Sequence, residues 1–187
     1  MKKYLFIFML MFTLLACTGA QDKTTQTGSQ AAAELSFTYT RLSGSASNQF
    51  AVWVEDAQGK FIKTLYATKY TATGGWKRRE TSIPVWVKKS GLANLTGAQV
   101  DAITGATPKT GTLVYTWDGT DSGGKAVSTG NYVLFLEGTL RWENQVLYRA
   151  PISLGKEIMS WTVSAEYKGD ATADRGMISD VKVKTLR

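Results

Sequence analysis

The chain has 187 residues, 22 Lys and Arg against 15 Asp and Glu, a formal net charge of +7, one cysteine and no histidine. The missing histidine excludes Ser-His-Asp and Cys-His catalysis, imidazole metal ligation and the commonest general base near neutral pH. A single cysteine excludes a disulfide within the chain and a thiolate metal site, so any redox chemistry has to reside on a bound cofactor. No basic helix, zinc motif or single-strand-binding aromatic signature accompanies the positive charge, which argues against nucleic acid as a partner. The charge suits contact with acidic lipid headgroups, a phosphate or an anionic protein instead.

At the N-terminus Lys2 and Lys3 precede a mostly apolar run from Tyr4 to Leu15, the layout of a bacterial secretory signal. The run is too short for a bilayer span, which needs about 20 residues. Within Leu14-Leu15-Ala16-Cys17 the cysteine stands where the lipobox of bacterial lipoproteins has its lipidated residue. Residues 1–17 are therefore expected to be a lipoprotein signal peptide, with Cys17 as the membrane anchor. A plain secretory signal with an incidental cysteine is the alternative. Thr18 in place of Asp after that cysteine points to the outer membrane in a host with two membranes. Residues 18–33 are rich in Gln, Thr, Ser, Gly and Ala and read as a flexible tether, because they cannot bury enough apolar surface to order themselves.

Residues 34–187 are expected to form one all-β domain. Leu35 to Tyr39 alternates apolar and polar residues. Phe50 to Val54 runs through the turn signal Glu55-Asp56-Ala57-Gln58-Gly59 into Lys60 to Tyr66, which predicts a hairpin. Further strands are expected at Thr112 to Trp117, Asn131 to Glu137, Gln145 to Ile152, Ile158 to Glu166 and Met177 to Val183. Tyr132, Phe135 and Trp142 read as core or sheet surface. Short strands separated by Gly, Asp, Asn and Ser turns predict an immunoglobulin-like β-sandwich.

The segment from Trp117 to Tyr132 contains Trp-Asp-Gly-Thr-Asp-Ser-Gly-Gly and ends in Gly130-Asn131-Tyr132. It resembles the hairpin of immunoglobulin-like domains related to that of the flagellar hook-capping protein, in which this pattern joins two antiparallel strands. Its Asp side chains suit turn amides and its glycines suit positive φ. A Ca²⁺ site on Asp118 and Asp121 is the rival use of those carboxylates.

A stretch of about 68–111 is too long for a sandwich connection, and such insertions are usually functional. It holds Trp76, the basic run Lys77-Arg78-Arg79, Pro84 before Trp86, Lys88-Lys89, the sequence Asn94-Leu95-Thr96, and a short helix expected around Asn94 to Ile103. Asn94-Leu95-Thr96 matches a glycosylation acceptor, an incidental match in a bacterial lipoprotein. The insertion ends in Asp101-Ala102-Ile103-Thr104-Gly105-Ala106-Thr107. This resembles the Asp-x-x-Ser/Thr-Gly-Ala-Thr motif onto whose last threonine a flavin transferase esterifies FMN through its phosphate. A chance match in a chain of this length is on the order of one in a thousand. The plainer reading is a Gly-containing turn after a helix, with Thr107 extended before Pro108.

From about Phe37 to Leu154 the order of features resembles a bacterial family of predicted periplasmic proteins of unknown function, whose members often accompany flavin transferases and PepSY-type membrane redox proteins. The resemblance implies an electron carrier with covalent FMN on Thr107. Asp101 would then be a recognition contact, Thr104 would fill the Ser/Thr position, and Gly105 and Ala106 would keep bulk away from the acceptor. Lys109 and the run Lys77-Arg78-Arg79 would offset the phosphate and Trp76 or Trp86 would stack on the ring. The rival assignment makes both tryptophans sandwich cover and the cations a solvated face. The competing function is a non-redox immunoglobulin-like binding or assembly module of the cell envelope. In neither case is the protein a stand-alone catalyst or a metal protein.

Overall fold

The computed structural model describes residues 31–155, 157–170 and 174–186. The signal sequence, Cys17 and most of the expected tether lie outside the described residues. The first strand, β1 (Ala33–Tyr39), begins at the end of the expected tether, and Ala32 is already buried, donating its amide to Trp117 O at 2.6 Å.

The next strands, β2 (Ser47–Asp56) and β3 (Phe61–Thr68), form the expected antiparallel hairpin. Its turn is built by Asp56, whose Oδ1 accepts the amides of Gln58 at 3.0 Å and Lys60 at 2.9 Å, with Gly59 at φ 78°. After the insertion come the two-residue β4 (Thr104–Gly105), then β5 (Gly111–Trp117), β6 (Gly130–Arg141) and β7 (Asn144–Leu154). The chain closes with β8 (Ser160–Trp161), β9 (Ser164–Lys168) and β10 (Ile178–Thr185).

Two sheets pack face to face, as expected of an all-β sandwich. One has the order β5-β1-β10-β8 and the other β4-β3-β2-β6-β7-β9. Pairing is antiparallel except for β4, which lies parallel to β3 with Thr104 opposite Ala67 and Gly105 opposite Thr68. Apolar residues from both inner faces fill the space between the sheets. Phe37 of β1 meets Phe50 of β2 edge-to-face at 5.5 Å, and Trp117 meets Tyr132 at 5.0 Å.

Two expectations are corrected. The segment Ile158 to Glu166 is not one strand: β8 pairs with β10 in the first sheet and β9 with β7 in the second, so the chain changes sheets at Thr162-Val163. The Trp-Asp-Gly segment likewise does not join two paired strands, because β5 and β6 belong to different sheets. It crosses between them, bridges to itself at Thr120 and Ala126, and leans on β3 through Ser122, whose amide and hydroxyl both donate to Ile62 O at 3.0 and 2.8 Å. Its carboxylates serve turn amides: Asp121 Oδ1 accepts from Gly123 and Lys125, and Asp118 Oδ1 from Thr120.

Between β3 and β5 the chain covers the outer face of the six-stranded sheet. A wide turn (Thr71–Gly75) leads to α1 (Trp76–Arg78), then α2 (Pro84–Lys89), a single turn (Leu92–Asn94) and α3 (Gly97–Ala102). Beneath them lies a second apolar cluster that includes Ala51, Trp53, Ile83, Trp86 and Val100. Trp53 stacks on Phe135 at 4.9 Å, and the buried Trp86 donates its indole N–H to Thr64 Oγ1 at 3.0 Å. Because this layer covers one face and the other sheet covers the opposite face, every residue of β2 except Asp56 is buried.

Polar side chains of the sheet fasten this cap. Glu137 of β6 accepts the amides of Val85 at 3.0 Å and Trp86 at 2.7 Å, which satisfies the otherwise unbonded first turn of α2. Burial pushes the Glu137 carboxyl up to about 7, against the opposing pull of the two amides. Thr139 Oγ1 accepts from Ile83 N at 2.8 Å, and Gln49 Oε1 accepts from Thr68 and Thr71 at 2.7 and 2.9 Å. Ile83 is held at φ 43°, a left-handed conformation that a β-branched residue adopts only when its surroundings over-determine it.

Candidate flavin acceptor site

The motif begins at the end of α3. That helix starts with a capping box in which Thr96 Oγ1 accepts from Gln99 N at 3.3 Å and Gln99 Oε1 accepts from Thr96 N at 2.9 Å. The Asn-Leu-Thr sequence is thus the start signal of a helix. Asp101, near the C-terminal end of α3, is exposed, and its carboxylate lies 3.6 Å from Lys69 Nζ. Ile103 ends the helix, and its carbonyl accepts from Ala67 N at 3.0 Å, which docks the chain on the free edge of β3.

Gly105 has a steric reason to be glycine. A Cβ there would come within 2.7 Å of Tyr66 Cε2, so a side chain would drive the ring away. The same Tyr66 donates its hydroxyl to Ala106 O at 2.8 Å, and burial pushes that hydroxyl up to about 12, which keeps it a donor at any physiological pH. Its ring stacks on Phe50 at 5.1 Å and tilts against Tyr115 of the opposite sheet at 4.9 Å. Tyr66 therefore ties the motif to the aromatic row that closes the sandwich at the β3/β5 edge. Beyond it, Ala106 is exposed and Thr107 is half-buried, ahead of Pro108. Arg41 N donates to Thr110 Oγ1 at 2.9 Å and secures the far end of this loop.

The residues nominated from the sequence are only partly brought together. Asp101, Thr104, Gly105, Ala106 and Thr107 form one continuous edge segment. Trp86 is completely buried with its indole N–H engaged, so it offers no face to a flavin. Trp76 packs against the second cluster, with Lys77 Nζ 5.3 Å from its ring centre. Lys77 and Arg78 are exposed on α1, while the Arg79 guanidinium is partly buried, and burial lowers its pKa. The fold sets Lys69 beside Asp101 at the head of the motif, and Lys109 is exposed two residues beyond Thr107. Lys69 and Tyr66 carry no signal of their own in the sequence, since each precedes its partner by more than thirty residues.

Beside the motif, Ala102 and Ile103 form part of the wall of a groove of about 590 Å³. Phe61, Leu65 and Leu95 supply apolar walls, and Lys63 and Asp118 form a polar end. Lys63 Nζ is 3.1 Å from Asp118 Oδ1 and donates to Thr120 Oγ1 at 2.7 Å. Burial raises the Asp118 carboxyl, but hydrogen bonds from Thr120 and Lys63 outweigh it and hold the group below the usual carboxylate range.

Residues 32–172 match the model of a family described as predicted periplasmic protein (DUF2271). The chain belongs to this family. The match extends beyond Phe37 to Leu154, the span over which the sequence showed the resemblance. No curated protein and no solved structure matches the chain. As a DUF2271 member the protein falls among predicted periplasmic proteins, in keeping with the extracytoplasmic location expected from its sequence.

Proposed function

We propose that this protein is an extracytoplasmic lipoprotein, anchored through Cys17, that carries FMN on Thr107 and relays electrons between a PepSY-type or other membrane redox protein and a partner outside the cytoplasm. The observation that carries this reading is the placement of the acceptor segment. Thr107 lies partly exposed in a loop on the edge of the sandwich, flanked by the exposed Ala106 and fastened on both sides by Tyr66 and Arg41. An acceptor for another enzyme has to be presented in this way, on an accessible loop held at both ends.

In the attachment step the Thr107 hydroxyl oxygen attacks the FMN phosphorus of FAD in the transferase. The new bond is a phosphate ester, the bond to the AMP phosphate breaks, AMP leaves, and the hydroxyl proton passes to the transferase or solvent. A bound flavin supplies the electron transfer that a chain without histidine, and with its single cysteine at the lipid anchor, does not provide. Tyr66 and Gly105 fix the path of the acceptor backbone, while Asp101 remains exposed at the head of the motif for recognition.

Co-expression with a flavin transferase is expected to yield a band that fluoresces after denaturing electrophoresis and a mass gain of one FMN less one water. Thr107→Ala should abolish both. A dark wild-type band, or a Thr107→Ala band of equal brightness, would refute the carrier and favour the binding or assembly module.

A further inference from the structure

We infer that β5 accepts an extended segment of a partner protein as an added strand, with apolar side chains at every second position facing the groove beside β3. This goes beyond the flavin reading and stands without it.

The first observation is an edge without protection. Of the four strands at sheet edges, β4 and β8 have two residues each, and β9 carries Glu166 and Lys168. In contrast, β5 has seven residues, no charge, no proline and an unbroken register with β1. Short length, charge, proline and bulges are the devices that keep an edge from pairing, and β5 has none of them. Ala32 N donates to Trp117 O, so that carbonyl faces β1, and by alternation the N–H and C=O groups of Thr112, Val114 and Thr116 face away. Among the described residues no hydrogen bond reaches these groups, and all three residues are exposed, Val114 by 52%. An extended backbone supplies donors and acceptors at the matching spacing.

The second observation gives the shape of the site. Strand β3 lies opposite β5, where Tyr66 and Tyr115 meet at 4.9 Å, and β4 continues the six-stranded sheet past β3. The four-stranded sheet has no strand beyond β5 to match β4, so an added strand fills a place that the fold leaves open. A second copy of this chain fits less well, because pairing β5 with β5 about a two-fold axis brings the two β4 segments toward each other. The third observation sets the side chains. Thr116 lies on the open edge and also lines the groove whose apolar wall is Phe61, Leu65, Leu95 and Ile103. Successive side chains of an added strand alternate between the outer surface of the sheet and this groove, which selects apolar residues at every second position.

The test uses the full chain and a fluorescein-labelled nonapeptide in which leucine alternates with serine. The peptide should bind saturably. The amides of Thr112, Val114 and Thr116 should exchange quickly in the free protein and several-fold more slowly in the complex. A peptide of the same composition with its leucines in one block should bind several-fold more weakly. N-methylation of one alternate set of peptide amides, at the leucines or at the serines, should abolish binding, and methylation of the other set should leave it unchanged. Val114→Pro should abolish binding while the β-sheet circular dichroism persists, because the Val114 N–H makes no bond to β1. Absent binding of the alternating peptide overturns the proposal, as does an equal response to both methylated sets. Slow exchange of the three amides in the free protein also overturns it. A concentration-dependent dimer that Val114→Pro dissociates overturns it in favour of a second copy. None of these outcomes bears on the Thr107-dependent fluorescent band, so the two proposals fail separately.

Discussion

The two faces of the six-stranded sheet are covered in different ways. On the inner face, Phe50, Val52 and Val54 of β2 meet Phe37 and other strand residues of the opposite sheet, in a core assembled largely from alternating strands. On the outer face, Ala51 and Trp53 meet short helical turns that have little stability of their own, since none of these helices exceeds six residues. The inner core is joined by apolar contact. The cap needs in addition Glu137, Thr139 and Gln49, which reach out of the sheet to bind its backbone and hydroxyl groups. An insertion can thus be fastened by its host sheet, and its last residues, Ile103 to Gly105, then dock on the edge of β3.

The contrast is broken most directly by truncating one aromatic residue in each layer. Phe37→Ala should cost about 3–5 kcal/mol and shift the whole unfolding transition in urea. Trp86→Ala should carry a similar local cost, yet show itself first as proteolytic cleavage within 68–111 while the β-sheet circular dichroism persists. If both variants simply lower one common midpoint, cap and sandwich form a single cooperative unit.

Glu137 sharpens the comparison through pH. Its folded-state pKa is raised from 4.5 to about 7, so its contribution to stability is fully present below pH 4.5 and is lost as the pH rises to about 7. The wild type should lose up to about 3 kcal/mol across that window relative to Glu137→Gln, which has no titrating group there. Parallel pH profiles of the two proteins would show that the carboxyl does not titrate in this range.

The smallest effect is expected at the β3 edge where residues 104–110 lie. Tyr66→Phe removes the hydrogen bond to Ala106 O and should cost about 0.5–1.5 kcal/mol. Amide exchange should accelerate in residues 104–110 and stay unchanged in β6. Uniform acceleration would mean that Tyr66 supports the sandwich rather than the loop.

Much of the sandwich was legible because period-two alternation, Asp and Gly turns and a continuous apolar run are local consequences of backbone geometry. The segment from Asp101 to Thr107 stood out for the same reason, being contiguous. The sheet change at Thr162-Val163 was not, because a strand's pattern does not record which sheet accepts its edge. Nor was the crossover after Trp117, whose Asp and Gly signals specify a turn but not the partners of the strands that it connects.

By itself the sequence determined the all-β class, the absence of histidine chemistry and the order of residues leading to Thr107. Only the tertiary structure decided that the outer face of β2 and β6 is dry. Glu137 sits in a run that alternation alone would turn toward water, yet it is almost fully buried, because residues 71–102 fold back over that face. Alternation tells which side chains share a face. Whether that face meets water depends on what distant chain segment covers it, and the same covering decides that Trp86 is sealed away while Ala102 and Ile103 open onto a groove.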